Sequence, residues 1–321
     1  MTISRDAGHE IPSAPHLRLG EGMRVAVASG KGGTGKTTVA VGVAISSALA
    51  GIPVEYLDCD VEEPNGHLLL RPRIESSRSV GILVPVLDED LCTGCGKCAE
   101  VCEYQAIALL KAPLVFTELC HGCGGCVLAC PTGALREEEH AIGVVETGWA
   151  GDVRFVQGRL NVGEELSPVL IRAVKKTAGH GSLTILDGPP GASCPAVAAV
   201  RDADLILLVA EPTPFGLSDL ETAAAAFRGL GSHMALVINR SDSGTPELRR
   251  FCEDQGLEVL LEIPDDRRIA EAGSRGEVPV ETLPELRDGL EQLRRRLHDF
   301  VEETHAHAPD QAVATRAGAG P

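Results

Sequence analysis

The sequence predicts an α/β fold, a doubly wound and mostly parallel sheet that is interrupted by a small α+β insertion. Three observations support this prediction. Short apolar runs alternate with helical patterns, which is the order expected of parallel strands joined by right-handed helical crossovers. A glycine-rich loop of the phosphate-binding type follows the first apolar run. A cysteine motif is repeated between the second and third runs, so we expect the sheet to come from two separate parts of the chain.

Composition limits the classes of function. The 321 residues are 44% hydrophobic and 23% charged, as in an ordinary globular protein, and leave room for two domains. The net charge of −17 argues against nonspecific binding to nucleic acid or to an anionic membrane, because both need clustered Lys and Arg. We therefore expect neither partner. Residues 1–22 lack the apolar core of a secretory signal, so the expected location is the reducing cytoplasm.

The predicted elements follow in chain order. Residues 1–22 are expected to form a flexible arm, and residues 304–321, rich in Ala, Gly and Pro, a disordered tail. The sheet domain covers residues 23–83 and 146–303. Its first part comprises a strand, the glycine loop, a helix and a second strand: Met23–Ser29, 30–37, a helix ending near Ala50, and Pro53–Leu57. Its second part alternates strands with helices: Leu183–Leu186, Leu205–Ala210, Leu217–Leu230, Ala235–Ile238, Pro246–Gln255, Val259–Ile263 and a last amphipathic helix from Leu283 to Phe300.

The loop Gly30-Lys31-Gly32-Gly33-Thr34-Gly35-Lys36-Thr37 fits the pattern G-x-x-x-x-G-K-[ST]. Its glycines let backbone N–H groups turn towards phosphate oxygens, and the start of the following helix favours the same negative charge. Lys36 is expected to reach the β and γ phosphates, and the Thr37 hydroxyl to bind Mg²⁺. A plain glycine turn is the alternative, but the position between a strand and a helix favours nucleotide binding. The predicted nucleotide contacts in the loop and after it are Gly30, Lys31, Gly32, Gly33, Thr34, Gly35, Lys36, Thr37 and Thr38.

Acidic residues follow two of the expected strands, at Asp58 and Asp60 and at Asp187. Hydrolysis of a nucleotide needs a carboxylate near the attacking water, and Asp side chains at strand ends that face the loop meet this need. Two interpretations of Asp58 remain open. It is either a structural cap or outer-shell contact to Mg²⁺, or it takes a direct part in the reaction.

A second lysine, Lys31, follows the first glycine, and with it the motif GKGGTGKTT resembles the MinD/ParA family of deviant Walker P-loop ATPases. Relatives of that family include the nitrogenase iron protein. The resemblance implies an ATP-dependent homodimer in which Lys31 reaches the phosphates bound by the other subunit. It also implies that Asp60 positions or activates the attacking water, that Asp187 binds the Mg²⁺ shell, and that Asn239 contacts adenine. The residues predicted to be catalytic are Lys31, Lys36, Asp60 and Asp187.

Two copies of the pattern C-x2-C-x2-C-x3-C stand 28 residues apart, and this is the ligand spacing of cubane iron–sulfur clusters in bacterial ferredoxins. In two-cluster ferredoxins the fourth cysteine of each copy binds the other cluster. The rule predicts two 4Fe-4S clusters, one held by Cys92, Cys95, Cys98 and Cys130, the other by Cys102, Cys120, Cys123 and Cys126. Because the repeat continues past the ligands, residues 84–145 are predicted to form an inserted, pseudo-twofold ferredoxin-like domain. Structural zinc is the alternative, but zinc sites usually pair two CxxC motifs across a spacer.

The combination resembles MinD-type ATPases with an inserted ferredoxin domain, across residues 23–300. Three functions stay open. In the first, ATP-driven dimer closure controls electron transfer between a donor and an acceptor that the sequence does not name. In the second, the chain carries iron–sulfur or other metal units to an acceptor protein, and in the third it is a positioning ATPase that senses redox state. The full set of eight ligand cysteines favours the first, because it is the ligand set of stable electron-transfer clusters.

Overall fold

The computed structural model describes residues 22–179, 181–243 and 246–306. The predicted arm at residues 1–22 lies outside these ranges except for Gly22. The predicted tail at residues 304–321 lies outside them from residue 307 onwards, and residues 304–306 are the end of a helix. Among the residues that the structure describes, no helix is both long enough and apolar enough to cross a membrane.

The elements have the following bounds. The strands are β1 (Met23–Ala28), β2 (Val54–Asp58), β3 (Arg73–Leu87), β4 (Ile107–Leu109), β5 (Pro113–Val115), β6 (Leu135–Ala150), β7 (Val153–Leu160), β8 (Leu183–Asp187), β9 (Leu205–Ala210), β10 (His233–Asn239) and β11 (Glu258–Ile263). The α-helices are α1 (Lys36–Leu49), α2 (Gly66–Leu70), α3 (Lys97–Glu100), α4 (Gly125–Ala129), α5 (Ser167–Lys176), α6 (Cys194–Val200), α7 (Pro214–Arg228), α8 (Pro246–Gln255), α9 (Arg267–Ser274), α10 (Pro279–Thr282) and α11 (Pro284–Ala306).

One large sheet has the strand order β11-β10-β9-β1-β8-β2-β7-β6-β3. All neighbours from β11 to β7 are parallel, whereas β6 and β3 are antiparallel additions at one edge. Alternate side chains of the central strand β1 enter two separate cores. Val25 and Val27 pack with α1 and α11 on one face, and Ala26 and Ala28 pack with α5, α6 and α7 on the other. Helices cover both faces, which confirms the predicted doubly wound, mostly parallel sheet.

The strands β3 and β6 form a long hairpin that the sequence prediction did not include. The first seven residues of β3 are all exposed, so this edge strand lacks the apolar alternation that identifies a strand in a sequence. The pairing runs from Arg73 opposite Trp149 to Leu87 opposite Leu135. The predicted domain boundaries at residues 84 and 145 therefore fall inside the two strands.

The segment between these strands is built twice, with the same 28-residue offset as the cysteine repeat. The small hairpin of β4 and β5 pairs Ile107 with Val115, and the offset relates this pair to Leu135 and Leu87 of the long hairpin. Each half also has a 3-10 turn and a short helix, at residues 89–91 and in α3, and at residues 117–119 and in α4. We call residues 85–137 the cysteine unit. One of its two hairpins is the end of β3 and β6 itself, so a continuous pair of strands joins the cysteines to the main sheet.

Candidate functional site

The glycine loop lies at the edge where three central strands end. In the sheet register, Asp187 at the end of β8 stands between Val27 of β1 and Asp58 of β2. The Cys59 N–H donates to the Asp187 carbonyl oxygen at 2.8 Å, which extends this alignment past the end of β2. The loop that follows β1 and the acidic residues that follow β2 and β8 are therefore brought together.

The loop itself is shaped by glycine. Gly35 has a φ of 91°, and a Cβ added to it would lie 2.4 Å from Asn239 Nδ2, so both its conformation and its surroundings require glycine. The other predicted contacts differ in exposure: Gly32 and Gly33 are exposed, Gly30, Lys31, Thr37 and Thr38 are half-buried, and Thr34 and Lys36 are buried. Thr37 and Thr38 stand in the first turn of α1, directly beyond Lys36.

The buried centre of the site is an ion pair. Lys36 Nζ lies 2.5 Å from Asp187 Oδ1, and Tyr56 donates its hydroxyl to Asp187 Oδ2 at 2.8 Å. Burial lowers the pKa of Lys36, but the charge and hydrogen bond of Asp187 together with the charges of Asp60 and Asp58 outweigh this effect, and the pKa is raised. Tyr56 was missed by sequence reasoning, because only the pairing of β2 with β8 brings its side chain to Asp187.

Two more carboxyl groups lie beside this pair. Asp58 is fully buried and accepts backbone N–H bonds from Asp60, Asn65 and Gly66 at 3.2, 3.1 and 2.9 Å. Burial, together with the neighbouring Asp187, raises the pKa of Asp58 to about 8. Burial also raises the pKa of Asp60 to about 6, although the charge of Lys36 opposes it. Asp187 and Asp60 share the single positive charge of Lys36, so the site favours a further cation.

The second lysine of the loop is held away from that centre. Lys31 Nζ lies 3.6 Å from Glu211 Oε2, at the end of β9. Glu211 also accepts a hydrogen bond from Arg240 Nη1 at 2.6 Å, so one buried carboxylate joins two basic side chains. Sequence reasoning missed Glu211 and Arg240, because neither belongs to a local motif.

A groove of about 230 Å³ opens beside the loop, where β10 and β11 end. Asn239 stands at its edge and donates from Nδ2 to the Thr34 carbonyl oxygen at 2.8 Å, which ties the end of β10 to the loop. The groove is lined by glycines of the loop and by the segment after β11: Gly33, Gly35, Thr38, Arg240, Pro264, Asp265 and Ile269 among others. It is mostly apolar with a polar rim, which suits a flat base beside a phosphate-binding loop.

The residues present fit a nucleotide with Mg²⁺. The Thr34 hydroxyl oxygen is buried and has no hydrogen-bond partner among the described residues, as expected of a group that hydrogen-bonds to a phosphate oxygen when the nucleotide is bound. Magnesium usually takes one or two protein ligands, completes its shell with water and phosphate, and so needs no complete protein cage. Asp187 and Thr37 carry oxygen atoms of that kind and would be the residues to hold the ion.

One cavity of the cysteine unit is lined by four thiols. They are Cys102, Cys120, Cys123 and Cys126, three from the second sequence copy and the last cysteine of the first copy. Burial raises the pKa of Cys120, and the neighbouring thiols of Cys123 and Cys102 raise it further. Burial likewise raises the pKa of Cys98, with a further contribution from Cys130 and Cys92. In both halves, therefore, the neighbours of a thiol include the last cysteine of the other copy.

Backbone N–H groups point at the sulfurs. Gly94 donates to Cys92 Sγ and Gly122 to Cys120 Sγ, each at 3.4 Å, and both glycines have positive φ. Among the described residues, no three Cys, His, Asp or Glu side chains converge on a position for a single metal ion. A cubane cluster needs a different arrangement, since its four thiolates bind four different iron atoms. The donor set and the N–H groups fit such a cluster.

Comparison with known proteins adds the following. Residues 25–280 match the CbiA family, the CobQ/CobB/MinD/ParA nucleotide-binding domain. An uncharacterized protein of Methanocaldococcus jannaschii is 35% identical over 292 residues, which cover 88% of this chain and 99% of that protein. An iron-sulfur cluster carrier protein of Aquifex aeolicus is 23% identical over 299 residues, which cover 86% of this chain and 65% of that protein. The septum site-determining protein MinD of Pyrococcus horikoshii, solved with Mg-ADP, has a TM-score of 0.55 at 18% identity, over 89% of this chain and 99% of that chain.

The likeness to the MinD structure shows the fold. The family match spans most of the chain and includes the glycine loop, both acidic strand ends and Asn239. The chain belongs to the CobQ/CobB/MinD/ParA nucleotide-binding family.

Proposed function

We propose that the chain binds and hydrolyses ATP, and that a nucleotide-driven dimer switch is coupled to two 4Fe-4S clusters for electron transfer. When bound, the clusters would supply one-electron transfer. The observation that carries the proposal is the cavity of the cysteine unit, which is lined by the four thiols of one crossed ligand set. The strands β3 and β6, which line this cavity, belong to the same sheet as the strands of the nucleotide site.

The nucleotide half assigns each residue a separate task. Lys36 binds the β and γ phosphates, and Thr37 and Asp187 hold Mg²⁺. Asp60 orients the attacking water and accepts its hydrogen bond, which requires the ionised carboxylate. Support comes from the placement of Asp60, a buried residue whose carboxyl pKa responds to the charges of Lys36 and Asp187.

The cluster half rests on the crossed pairing of the two sequence copies. A zinc knuckle would use neighbouring CxxC thiols, whereas the cavity places Cys102 with Cys120 and its neighbours. Apolar side chains such as Val84 and Ala106 pack around Cys120, and a thiol-rich pocket with apolar walls suits a cluster. The equivalent assignment of Cys92, Cys95 and Cys98 to Cys130 is supported by the neighbourhood of Cys98, which includes Cys130 and Cys92.

Coupling between the halves is supported by the route of the chain. The two residues directly after Asp60 contact β7 and α5. The Leu160 N–H at the end of β7 donates to the Val61 carbonyl oxygen at 2.8 Å, and Ser167, the first residue of α5, donates to Glu62 Oε1 at 2.5 Å. β7 pairs with β6, and β6 runs without interruption into the cysteine unit. A shift of the segment after Asp60 is therefore expected to reach the cysteines through two strands.

Dimer formation belongs to the same proposal. Lys31 is the loop residue assigned to the phosphates of a second copy, and its present partner is Glu211 of its own chain. An ion pair at 3.6 Å with a lysine one-third exposed is weak, so exchange of this contact for a phosphate is favourable. ATP would thus release Lys31 to the other subunit.

A second candidate function is an ATP-dependent carrier of iron–sulfur clusters. It is favoured by the relatives from Aquifex aeolicus and Synechocystis, which are both named iron-sulfur cluster carrier proteins. In that case the clusters, or one of them, would be cargo. The two candidates differ in whether iron stays on the chain during turnover.

The test follows iron during hydrolysis. Protein loaded anaerobically with iron and sulfide is incubated with MgATP and a cluster-free acceptor protein, then separated and analysed for iron. Electron transfer predicts that iron stays bound while ATP changes the rate at which the reduced protein reduces an acceptor dye. Iron that moves to the acceptor in step with hydrolysis would support the carrier instead. Asp60→Asn, which is expected to bind ATP without hydrolysing it, is the matched control.

A further inference from the structure

We infer that the two cysteine sets impose different reduction potentials on the clusters they bind, with the lower potential at the set nearer the main sheet. The inference rests on the proposed function, since it concerns how two bound clusters differ. The proximal set, Cys102 with Cys120, Cys123 and Cys126, lies against β3, where a Cβ on Gly122 would be 3.1 Å from the Leu83 carbonyl oxygen. The distal set, Cys92, Cys95, Cys98 and Cys130, lies against the β4–β5 hairpin, where a Cβ on Gly94 would be 3.7 Å from the Lys111 carbonyl oxygen.

The 28-residue offset allows the two surroundings to be compared position by position. The proximal cavity is lined by larger side chains, Val101, Tyr104, His121 and Val127. The equivalent residues of the distal set are Ala129, Thr132, Thr93 and Ala99. The Tyr104 and His121 rings stack with centroids 3.6 Å apart and line the proximal cavity. Cys120 and Cys126 of the proximal set are buried, whereas in the distal set only Cys98 is buried. Because reduction adds negative charge, a site with less access to water holds the reduced form less well and has a lower potential.

Hydrogen bonding to sulfur acts in the same direction. The hydroxyl of Thr132 lies 3.7 Å from Cys130 Sγ in the distal set and can donate to it when the sulfur is a thiolate. In the proximal set the backbone N–H of Ala106 donates to Cys102 Sγ at 3.3 Å, so backbone donors serve both sets and the difference is the Thr132 hydroxyl. This hydroxyl stabilises the extra electron of a reduced distal cluster. At the equivalent position of the proximal set, Tyr104 turns its ring to His121 instead.

Charge is the third difference. A carboxylate oxygen of Glu137 lies 3.2 Å from the position of a Cβ on Gly124, and Glu137 lines the proximal cavity. The equivalent residue of the distal set is Leu109, which lies beside Gly96. A negative charge beside a cluster disfavours reduction of that cluster, whereas an uncharged leucine does not. Solvent access, hydrogen bonding and charge therefore all lower the proximal potential relative to the distal one.

The test is a redox titration of the full chain, loaded anaerobically and reduced stepwise with dithionite as the one-electron donor, with EPR as the readout. Two separate one-electron steps are expected. Glu137→Gln is expected to raise the potential of the lower step and to leave the potential of the upper step unchanged. Thr132→Val is expected to lower the potential of the upper step. The matched control is Glu138→Gln, because Glu138 is the next residue on the strand and pairs with Arg136 at 2.6 Å. It is expected to move neither step.

The outcomes separate this inference from the proposed function. Coincident steps in the wild-type chain, or a Glu137→Gln variant that moves the upper step, would overturn the inference while leaving two clusters in place. Iron and sulfide analysis of the same samples is run in parallel. A chain that binds no reducible iron–sulfur centre would overturn the proposed function itself.

Discussion

Lys36 and Asp187 form a buried ion pair, with Nζ 2.5 Å from Oδ1. The lysine assigned to the nucleotide phosphates is thus held by the carboxylate assigned to Mg²⁺. MgATP offers a new partner to each side chain at once, a phosphate to the lysine and a cation to the carboxylate. A buried charge that loses its partner is costly, so we expect the two exchanges to occur together. The pair therefore makes nucleotide and Mg²⁺ binding depend on each other.

Asp60→Asn is expected to retain MgATP binding and to lose most of the hydrolysis rate, at least about 100-fold. The carboxylate acts on the attacking water, and general-base catalysis of this kind contributes about 10²- to 10⁴-fold. Steady-state hydrolysis and equilibrium nucleotide binding measure the two effects separately. Lys36→Ala is the contrasting variant, because it is expected to lose binding. An Asp60→Asn variant with wild-type turnover would remove Asp60 from the mechanism.

Tyr56→Phe is expected to weaken the site without unfolding the protein. The variant keeps the ring, which stacks on Phe155 with centroids 5.8 Å apart, and removes only the hydroxyl that donates to Asp187. Loss of one hydrogen bond to a buried carboxylate costs about 1–3 kcal/mol, and we expect this loss in the free energy of unfolding of the nucleotide-free chain. We also expect an altered dependence of hydrolysis on Mg²⁺ concentration. Urea unfolding and a Mg²⁺ titration would measure both, and unchanged values would show that Tyr56 does not position Asp187.

Much of the fold could be predicted from sequence because its signals are local. Apolar runs predict parallel strands, and the glycine loop and cysteine spacing are short motifs. The long hairpin could not be predicted, because β3 is an exposed edge strand whose pairing partner comes about 60 residues later. The contact of Tyr56 with Asp187 and that of Lys31 with Glu211 depend on which strands are neighbours in the sheet. Contacts of that kind are set by topology and leave no pattern in the sequence.

The stability of the nucleotide-free chain is expected to depend on pH through Asp58. Burial raises the pKa of this carboxyl from 3.8 to about 8. A group whose pKa is raised on folding contributes stability that is complete below its unfolded pKa and is lost as the pH rises through its folded pKa. The difference in unfolding free energy between wild type and Asp58→Asn should therefore change between pH 4 and about 8, with the wild type losing stability. A difference that is constant over this range would contradict the buried, protonated state of Asp58.

Lys31→Ala is expected to bind MgATP and remain monomeric. Lys36 and the loop amides remain to hold the phosphates, whereas the contact assigned to the second subunit is lost. Glu211→Gln is the complementary variant, because it releases Lys31 from its intramolecular ion pair and should allow dimers at lower ATP concentration. Light scattering with and without MgATP would measure both. Lys111→Ala, a lysine of the cysteine unit, is the charge-matched control, and full dimerisation of Lys31→Ala would contradict the assignment.

The last prediction concerns which cysteines belong together. Cys102 lies in the first sequence copy but lines the cavity of Cys120, so Cys102→Ala and Cys120→Ala are expected to remove the same cluster. Each variant should retain about four of about eight iron atoms and give the same residual EPR signal on reduction. Cys130→Ala should instead match Cys92→Ala, since Cys130 neighbours the first copy.

Cys252→Ala is the control for these variants, because Cys252 is a buried thiol of α8 in the sheet domain and should leave both signals intact. If Cys102→Ala gave the residual signal of Cys92→Ala, the ligand sets would follow the sequence copies and the crossed assignment would be wrong. Stoichiometric zinc without a reducible centre would contradict the clusters altogether. The EPR signals decide between the two assignments, because the iron content is expected to fall equally in all four ligand variants. Only the crossed arrangement predicts the same residual signal for Cys102→Ala and Cys120→Ala.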